Sequence, residues 1–340
     1  MPNHDTQEWT RPRHRPVLRL GEEGAFDDTH IFAPCVAYNS GTFLLWYCGS
    51  RGSVEERVFR MGLATSRDGL SFHKENGPVL QFDDGRRSVL TPSLLRHPDG
   101  RPVRENGGLR MYFSSTVFPE GKKHTLHEAS SENGREWSNP SAPLLEDVYA
   151  PTLLKEDDAY RMWFTDVSGD PWHFRFATSR DGRKWDVREV PALEVGQDWE
   201  QGRLFYPYVL KLDGLYRMWY ASYWGGERRT AIGAATSPDG LHWTKNPDNP
   251  VFCPEPDHEW ESHYTSSQSV LPLGDGRWRM WYATRKSPPF KNKYFAIGAA
   301  NWEPPVKKRE RPVLSVESAE DFKSELAVLR PAEKGSPEFT

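Results

Sequence analysis

One aromatic run, returning five times, limits what this chain can fold into more than any other feature. The copies are Gly41-Thr-Phe-Leu-Leu-Trp-Tyr-Cys-Gly-Ser50, Gly108-Leu-Arg-Met-Tyr-Phe-Ser-Ser115, Ala159-Tyr-Arg-Met-Trp-Phe-Thr165, Gly214-Leu-Tyr-Arg-Met-Trp-Tyr-Ala-Ser222 and Gly276-Arg-Trp-Arg-Met-Trp-Tyr-Ala-Thr284. Each follows a glycine or an acidic turn and is short, aromatic and apolar, which reads as a buried β-strand. Five copies in one chain make a repeat architecture.

The flanks repeat as well. A proline stands twelve residues before the tryptophan at Pro34, Pro151 and Pro207; in the second copy Pro92 is further away because of an insertion near Arg101, and in the fifth Ser269 is read in the proline's place. Downstream come Ala64-Thr-Ser-Arg-Asp-Gly69, Ala129-Ser-Ser-Glu-Asn-Gly134, Ala177-Thr-Ser-Arg-Asp-Gly182 and Ala235-Thr-Ser-Pro-Asp-Gly240, each followed by an aromatic residue. Asp-Gly or Asn-Gly between apolar runs marks a tight hairpin. Pro-x-Leu or Pro-x-Phe markers at Pro16, Pro78, Pro143, Pro191, Pro250 and Pro312 set intervals of 62, 65, 48, 59 and 62 residues. Four-stranded units at such a period predict an all-β chain, a five-bladed β-propeller with four antiparallel strands per blade. The expected domain runs over 16–314, between an N-terminal extension (1–15) and a polar C-terminal tail (315–340) whose end is compatible with a cloning remnant.

Composition adds limits. The chain has 340 residues, 13% aromatic residues with 14 Trp, 27% charged residues and a net charge of -4, an ordinary soluble surface with no basic field for nucleic acid. Cys35, Cys48 and Cys253 have no motif spacing and read as buried free thiols. The first residues carry no basic region followed by an apolar one, and no apolar run approaches a membrane span, so a cytoplasmic location is expected, with no nucleic-acid or membrane partner. The sequence leaves the oligomeric state open.

A propeller is a scaffold, so function has to be read from its site. The innermost strands begin, and the second strands end, at one mouth. Counting four residues back from the proline position gives His30, Ser88, Asp147, Arg203 and Thr265; six back gives Asp28, Arg86, Leu145, Gln201 and His263. Strand alternation puts both sets on one side. Two back lie Phe32, Leu90, Tyr149, Phe205 and Ser267, which would floor the cavity. Polar groups from several units crowded at one axis point to a bound molecule. Asp28, His30, Asp147 and His263 are the catalytic candidates. Arg51, Arg86, Arg203, Tyr149, Phe205, Tyr223, Trp224 and Arg285 are the substrate-binding candidates, with Glu56, Asp166, Asp170, Trp172, Glu227 and Lys286 on the same loops. The arginines suit carboxylate or phosphate groups on a small-molecule substrate. Although His30, His263, Asp28 and Asp147 are ligand types for a divalent ion, no short ligand spacing supports one, and neither metal nor cofactor is assigned.

With its proline-opened innermost strands and Ala-Thr-Ser-x-Asp-Gly-x-x-Trp hairpins, the chain resembles the five-bladed propeller glycosidases, similar to glycoside hydrolase families 43, 32 and 68, over about residues 16–314. The resemblance implies a general-base Asp immediately before the first blade's proline, an auxiliary Asp likewise in an inner blade and an acid Glu close before a later one. The residues here are Ala33, Thr91, Ala150, Tyr206 and Gln268, none of them a carboxylate. Glycoside hydrolysis ordinarily takes two carboxyl groups. Asp28 and Asp147 would supply them from higher in the funnel, with His30 and His263 carrying protons and Asp27, Glu146 and Glu200 as neighbouring substitutes. The recurring pairs Phe26-Asp27, Trp199-Glu200 and Trp260-Glu261 suggest a role in opening each unit. Three classes stay open: a carbohydrate-active enzyme using Asp/His acid–base chemistry; a lyase, cyclase or isomerase that reuses the funnel; and a non-catalytic binding propeller.

Overall fold

The computed structural model describes residues 8–304 except 56, 122, 227–228 and 287–295. Glu56, Glu227, the Pro312 marker and the tail from residue 315 therefore lie outside the described residues. Within them there is no helix, and so none long and apolar enough to cross a membrane.

The strands run in order as β1 (Trp9–Thr10), β2 (His30–Asn39), β3 (Thr42–Ser50), β4 (Arg60–Ser66), β5 (His73–Lys74), β6 (Leu90–Leu94), β7 (Leu109–Ser115), β8 (Thr125–Ser131), β9 (Leu145–Glu146) and β10 (Val148–Glu156). They continue as β11 (Ala159–Asp166), β12 (His173–Ser179), β13 (Asp186–Val187), β14 (Leu204–Leu212), β15 (Leu215–Tyr223), β16 (Thr230–Ser237), β17 (Thr244–Lys245), β18 (Tyr264–Gly274), β19 (Arg277–Arg285) and β20 (Ala296–Trp302). Three antiparallel four-stranded sheets, β2–β5, β6–β9 and β10–β13, follow the chain directly. The remaining strands form an eight-stranded sheet, whose antiparallel groups β14–β17 and β18–β20 with β1 meet only at one parallel pair, Thr230 with Tyr264. Every aromatic run found in the sequence is the second strand of a group, with Trp46, Trp163, Trp219 and Trp281 buried to 1% exposure or less. These side chains each remove a large apolar area from water, which is where most of the driving force for such a sheet comes from.

The two repeated motifs lock neighbouring groups together. The indole N–H of Trp46 donates to the carbonyl of Gly134 (2.8 Å), Trp163 to Gly240 (2.8 Å) and Trp281 to Gly69 (2.8 Å), while the Tyr112 hydroxyl donates to Gly182 (3.0 Å). Each aromatic residue thus reaches the Asp-Gly or Asn-Gly turn of the next group, and Trp281 in the last reaches the turn of the first. These glycines have φ between +68° and +79°, and a Cβ at Gly240 would stand 2.9 Å from Trp163, so both conformation and space require glycine.

The residues before Pro16, read from sequence as an extension, take part in the sheets. Trp9 pairs with Trp302 and Thr10 with Asn301, so β1 becomes the outer strand of the last group. The Pro-x-Leu marker at Pro16 belongs there too: Leu18 bridges to Ile297 as Leu80 bridges to Met61, Leu193 to Phe174 and Phe252 to Ile232. Strands from opposite ends of the described chain share one group, which leaves fewer unpaired sheet edges.

Candidate functional site

All five innermost strands break at the same place. Ala33, Thr91, Ala150, Tyr206 and Ser267 have φ between +47° and +59°, unusual for residues other than glycine, and each sits in a β-bulge against the second strand. Strain at five matching positions near one axis is characteristic of a site that the rest of the fold holds in shape. Phe32, Leu90, Tyr149, Phe205 and Ser267 all line a cavity of about 560 Å³ there.

The structure brings His30, Arg203, Tyr149, Phe205, Tyr223 and Arg285 into this cavity, and Trp172 with them. It leaves the other candidates out of the lining, each for a local reason. His263 and Thr265 follow from an alignment that is one residue out. Ser269, not the residue after it, pairs with Trp281, as Cys35 pairs with Trp46 and Tyr208 with Trp219; an extra residue between Pro272 and Gly274 absorbs the difference. A one-residue slip moves side chains to the opposite face of a strand. The residue matching His30 and Arg203 is therefore Tyr264, which lines the cavity, and Pro272 inside the strand is the sequence signal that was available. Asp147 matches His30 in register, but its φ of +59° breaks the alternation between β9 and β10, and its amide donates to the carbonyl of His124. Asp28 precedes β2 in a turn, where its carboxylate accepts from the Gly24 amide and the Thr29 hydroxyl (both 2.8 Å). Arg86 pairs at the surface with Glu120 (3.0 Å), Arg51 is exposed, and Trp224 packs against the buried cluster around Trp199 and Tyr220.

Sequence reasoning missed Glu55, Arg57, Phe59, His124, Tyr206 and Tyr264, all of them lining residues. Most come from loops between second and third strands, where no periodicity can aim a side chain. Glu55 is the one carboxylate among the described lining residues, against the guanidinium groups of Arg57, Arg203 and Arg285. Arg285 is buried, with its guanidinium 3.8 Å from the centre of the Tyr264 ring. Arg203 lies 4.6 Å over Trp172 and pairs with Asp170 (2.7 Å) at the rim. The Tyr149 and Tyr206 hydroxyls are 2.6 Å apart. Burial lowers the His30 imidazole to about 4, with Arg57 and Arg285 acting in the same direction and the Val54 carbonyl and Glu55 opposing. Burial alone lowers His124 to about 4. Both rings are neutral at pH 7 and can accept or donate one hydrogen bond at each nitrogen according to tautomer. Among the described residues, no group of three or more His, Cys, Asp or Glu side chains is placed to hold a metal ion.

The recurring acidic pairs have another role. Asp27 accepts from Tyr47 (2.8 Å) and Lys74, Glu200 from Tyr220 (2.7 Å) and Lys245, and Glu261 from Tyr282 (2.6 Å) and Arg11 (2.7 Å). All three carboxylates are buried, and each fastens the chain ahead of an innermost strand to the tyrosine of the following second strand.

No family model matches the chain. It is 27% identical over 235 residues to an uncharacterized protein of Mycobacterium tuberculosis (strain CDC 1551 / Oshkosh), covering 65% of this chain and 75% of that one. It is 24% identical over 217 residues to a 1,2-beta-oligomannan phosphorylase of Thermoanaerobacter sp. (strain X514), covering 61% and 70%. Among solved structures it superposes with TM-score 0.69 at 17% identity, over 89% of this chain and 96% of the other, on a member of the GH130 family of mannoside phosphorylases, described as containing glycoside hydrolases that target beta-1,2 mannosidic linkages in Candida mannan. A thermostable family-43 glycoside hydrolase gives TM-score 0.60 at 18% identity, over 79% and 88%. The fold of this chain is that of the β-propeller glycoside hydrolases.

Proposed function

We propose that the chain is a carbohydrate-active enzyme that cleaves a glycosidic bond of a short saccharide with inorganic phosphate as the attacking group. The observation that carries this reading is the charge of the cavity lining: Glu55 is the one carboxylate among the described lining residues, beside Arg57, Arg285 and Arg203, the last of them paired at the rim with Asp170. Hydrolysis ordinarily uses two carboxyl groups, one to activate water. Phosphate is already a nucleophile, so phosphorolysis needs one proton donor and a site for an anion. Guanidinium forks suit phosphate oxygens, and their strength rises where burial excludes water. Arg285 and Arg57 are the residues we assign to that anion, with Tyr264 behind Arg285. A phosphate oxygen forms the bond to the anomeric carbon, the glycosidic C–O bond breaks, and the leaving oxygen takes a proton, for which Glu55 is the candidate donor. Tyr149, Phe205, Tyr223 and Trp172 offer flat faces for sugar rings. The likeness to proteins named as phosphorylases supports the choice of phosphate, and the β-1,2-linked mannosides named for two of them are the first substrates to try.

The test is to incubate the protein with short β-1,2-linked manno-oligosaccharides, with and without inorganic phosphate, and to follow sugar 1-phosphate by phosphorus NMR. Phosphate-dependent formation, lost in Glu55→Gln and weakened through KM for phosphate in Arg285→Met, is expected. Release of reducing sugar independent of phosphate would overturn phosphorolysis in favour of hydrolysis. An unsaturated or rearranged product would favour the lyase, cyclase or isomerase class. Thermal stabilisation by saccharides without any product would favour a binding propeller.

A further inference from the structure

A second, smaller cavity of about 40 Å³ lies on the same axis and shares Tyr206 and Ser267 with the funnel. Its walls are the turns that carry the left-handed residues, namely residues 33–35, 91–93, 150–152, 206–208 and 267–268, one segment from each innermost strand. The remaining lining residue is Arg96, from just beyond β6. It is 3% exposed, and its guanidinium donates to the carbonyls of Gly100 (3.0 Å) and Val36 (2.7 Å) and to the sulfur of Cys35 (3.4 Å).

No Asp or Glu lines this cavity, and among the described residues no carboxylate forms an ion pair with Arg96. An arginine does not escape burial by losing its proton, so the positive charge stays. Carbonyl dipoles offset part of the cost of burying it, yet a charge removed from water without an opposite charge nearby is among the most expensive things a fold can hold. Among the described residues the Arg96 Nε–H has no acceptor, and the side-chain hydroxyls of Ser93 and Thr152, which also line the cavity, make no hydrogen bond. Three donor groups with no acid among them thus belong to the lining of this cavity. One water needs about 10–15 Å³ by the same measure, so the space is too small for a sugar or a phosphate ester and large enough for a halide.

We propose that this axial cavity binds a small monovalent anion of halide size, held by Arg96 with the Ser93 and Thr152 hydroxyls. The ion neutralises the buried guanidinium and ties together the turns that shape the floor of the funnel. The site is independent of the reaction assigned to the funnel above it.

Thermal unfolding of the full chain in a chloride or bromide series, balanced with gluconate to constant ionic strength, reads the site directly. An ion bound only by the folded state raises Tm with the logarithm of its concentration above Kd, roughly 2–4 °C per tenfold for a domain of this size. Arg96→Met removes the charge and keeps the volume, and its Tm is expected to be flat across the series. Should that variant fail to fold, the paired Ser93→Ala and Thr152→Val variant is expected to shift the midpoint of the response to higher halide. A crystal grown in bromide should show an anomalous peak in contact with Arg96. A wild-type Tm indifferent to halide, an equal response in Arg96→Met, or an anomalous map empty at the axis would each overturn the proposal.

Discussion

Replacing Gly240 by alanine isolates the lock between neighbouring groups. Gly240 has φ +79°, and a Cβ built on it stands 2.9 Å from Cζ2 of Trp163, whose indole N–H donates to the Gly240 carbonyl at 2.8 Å. A left-handed alanine costs about 1–2 kcal/mol. Forcing a methyl into a packed interior adds about 1–3 kcal/mol, and displacing the turn weakens a hydrogen bond worth about 1 kcal/mol. The sum is about 3–6 kcal/mol. Gly77→Ala is the control, because Gly77 has φ +74° but nothing within 4 Å of its would-be Cβ, which leaves only the conformational cost of about 1–2 kcal/mol. Urea unfolding followed by tryptophan fluorescence gives both values from midpoint and slope. Gly240→Ala should lose at least about 2 kcal/mol more than Gly77→Ala; equal losses would refute the claim that Trp163 and the Asp-Gly turn hold the groups together.

Folded-state His30, held near 4 against 6.5 in the unfolded chain, binds fewer protons than the unfolded state between those values, so stability present above pH 6.5 falls as pH drops towards 4. The loss is about 3 kcal/mol, and pH-dependent urea melts of His30→Gln should show a correspondingly flatter slope in that window. Glu200→Gln leaves the half-buried Lys245 beside a neutral partner and should cost about 1–3 kcal/mol in chemical denaturation while the reaction proposed for the funnel keeps its kcat at a permissive temperature. A lost kcat with unchanged stability would move Glu200 into the site. Removing residues 1–11 takes away β1 and the Arg11–Glu261 pair, and should lower Tm by several degrees without changing the far-UV spectrum of the remaining sheets.

The sequence determined the all-β class, the second strands and the hairpin turns, because those are set by local chemistry. Alternation, burial of one aromatic per unit and the need for glycine at positive φ leave marks at fixed offsets. It also put Phe32, Leu90, Tyr149 and Phe205 one step before a repeated bulge, where all four line the cavity; Ser267, counted with them, is itself the bulge residue of its strand. Tertiary structure alone decided three things. The strand Trp9–Thr10 joins the last group because its partner, β20, lies at the far end of the described chain, and no local pattern encodes that distance. Tyr264 faces the cavity in place of His263 because one extra residue near Pro272 reverses the face of everything before it, and period-two arguments amplify such a slip. The carboxylate among the described lining residues is Glu55, while Asp28 and Asp147 stand outside the lining, because a loop obeys no period and a left-handed residue turns its side chain off the strand's face. The lining of the funnel is thus set by side chains whose direction only the closed arrangement of sheets fixes.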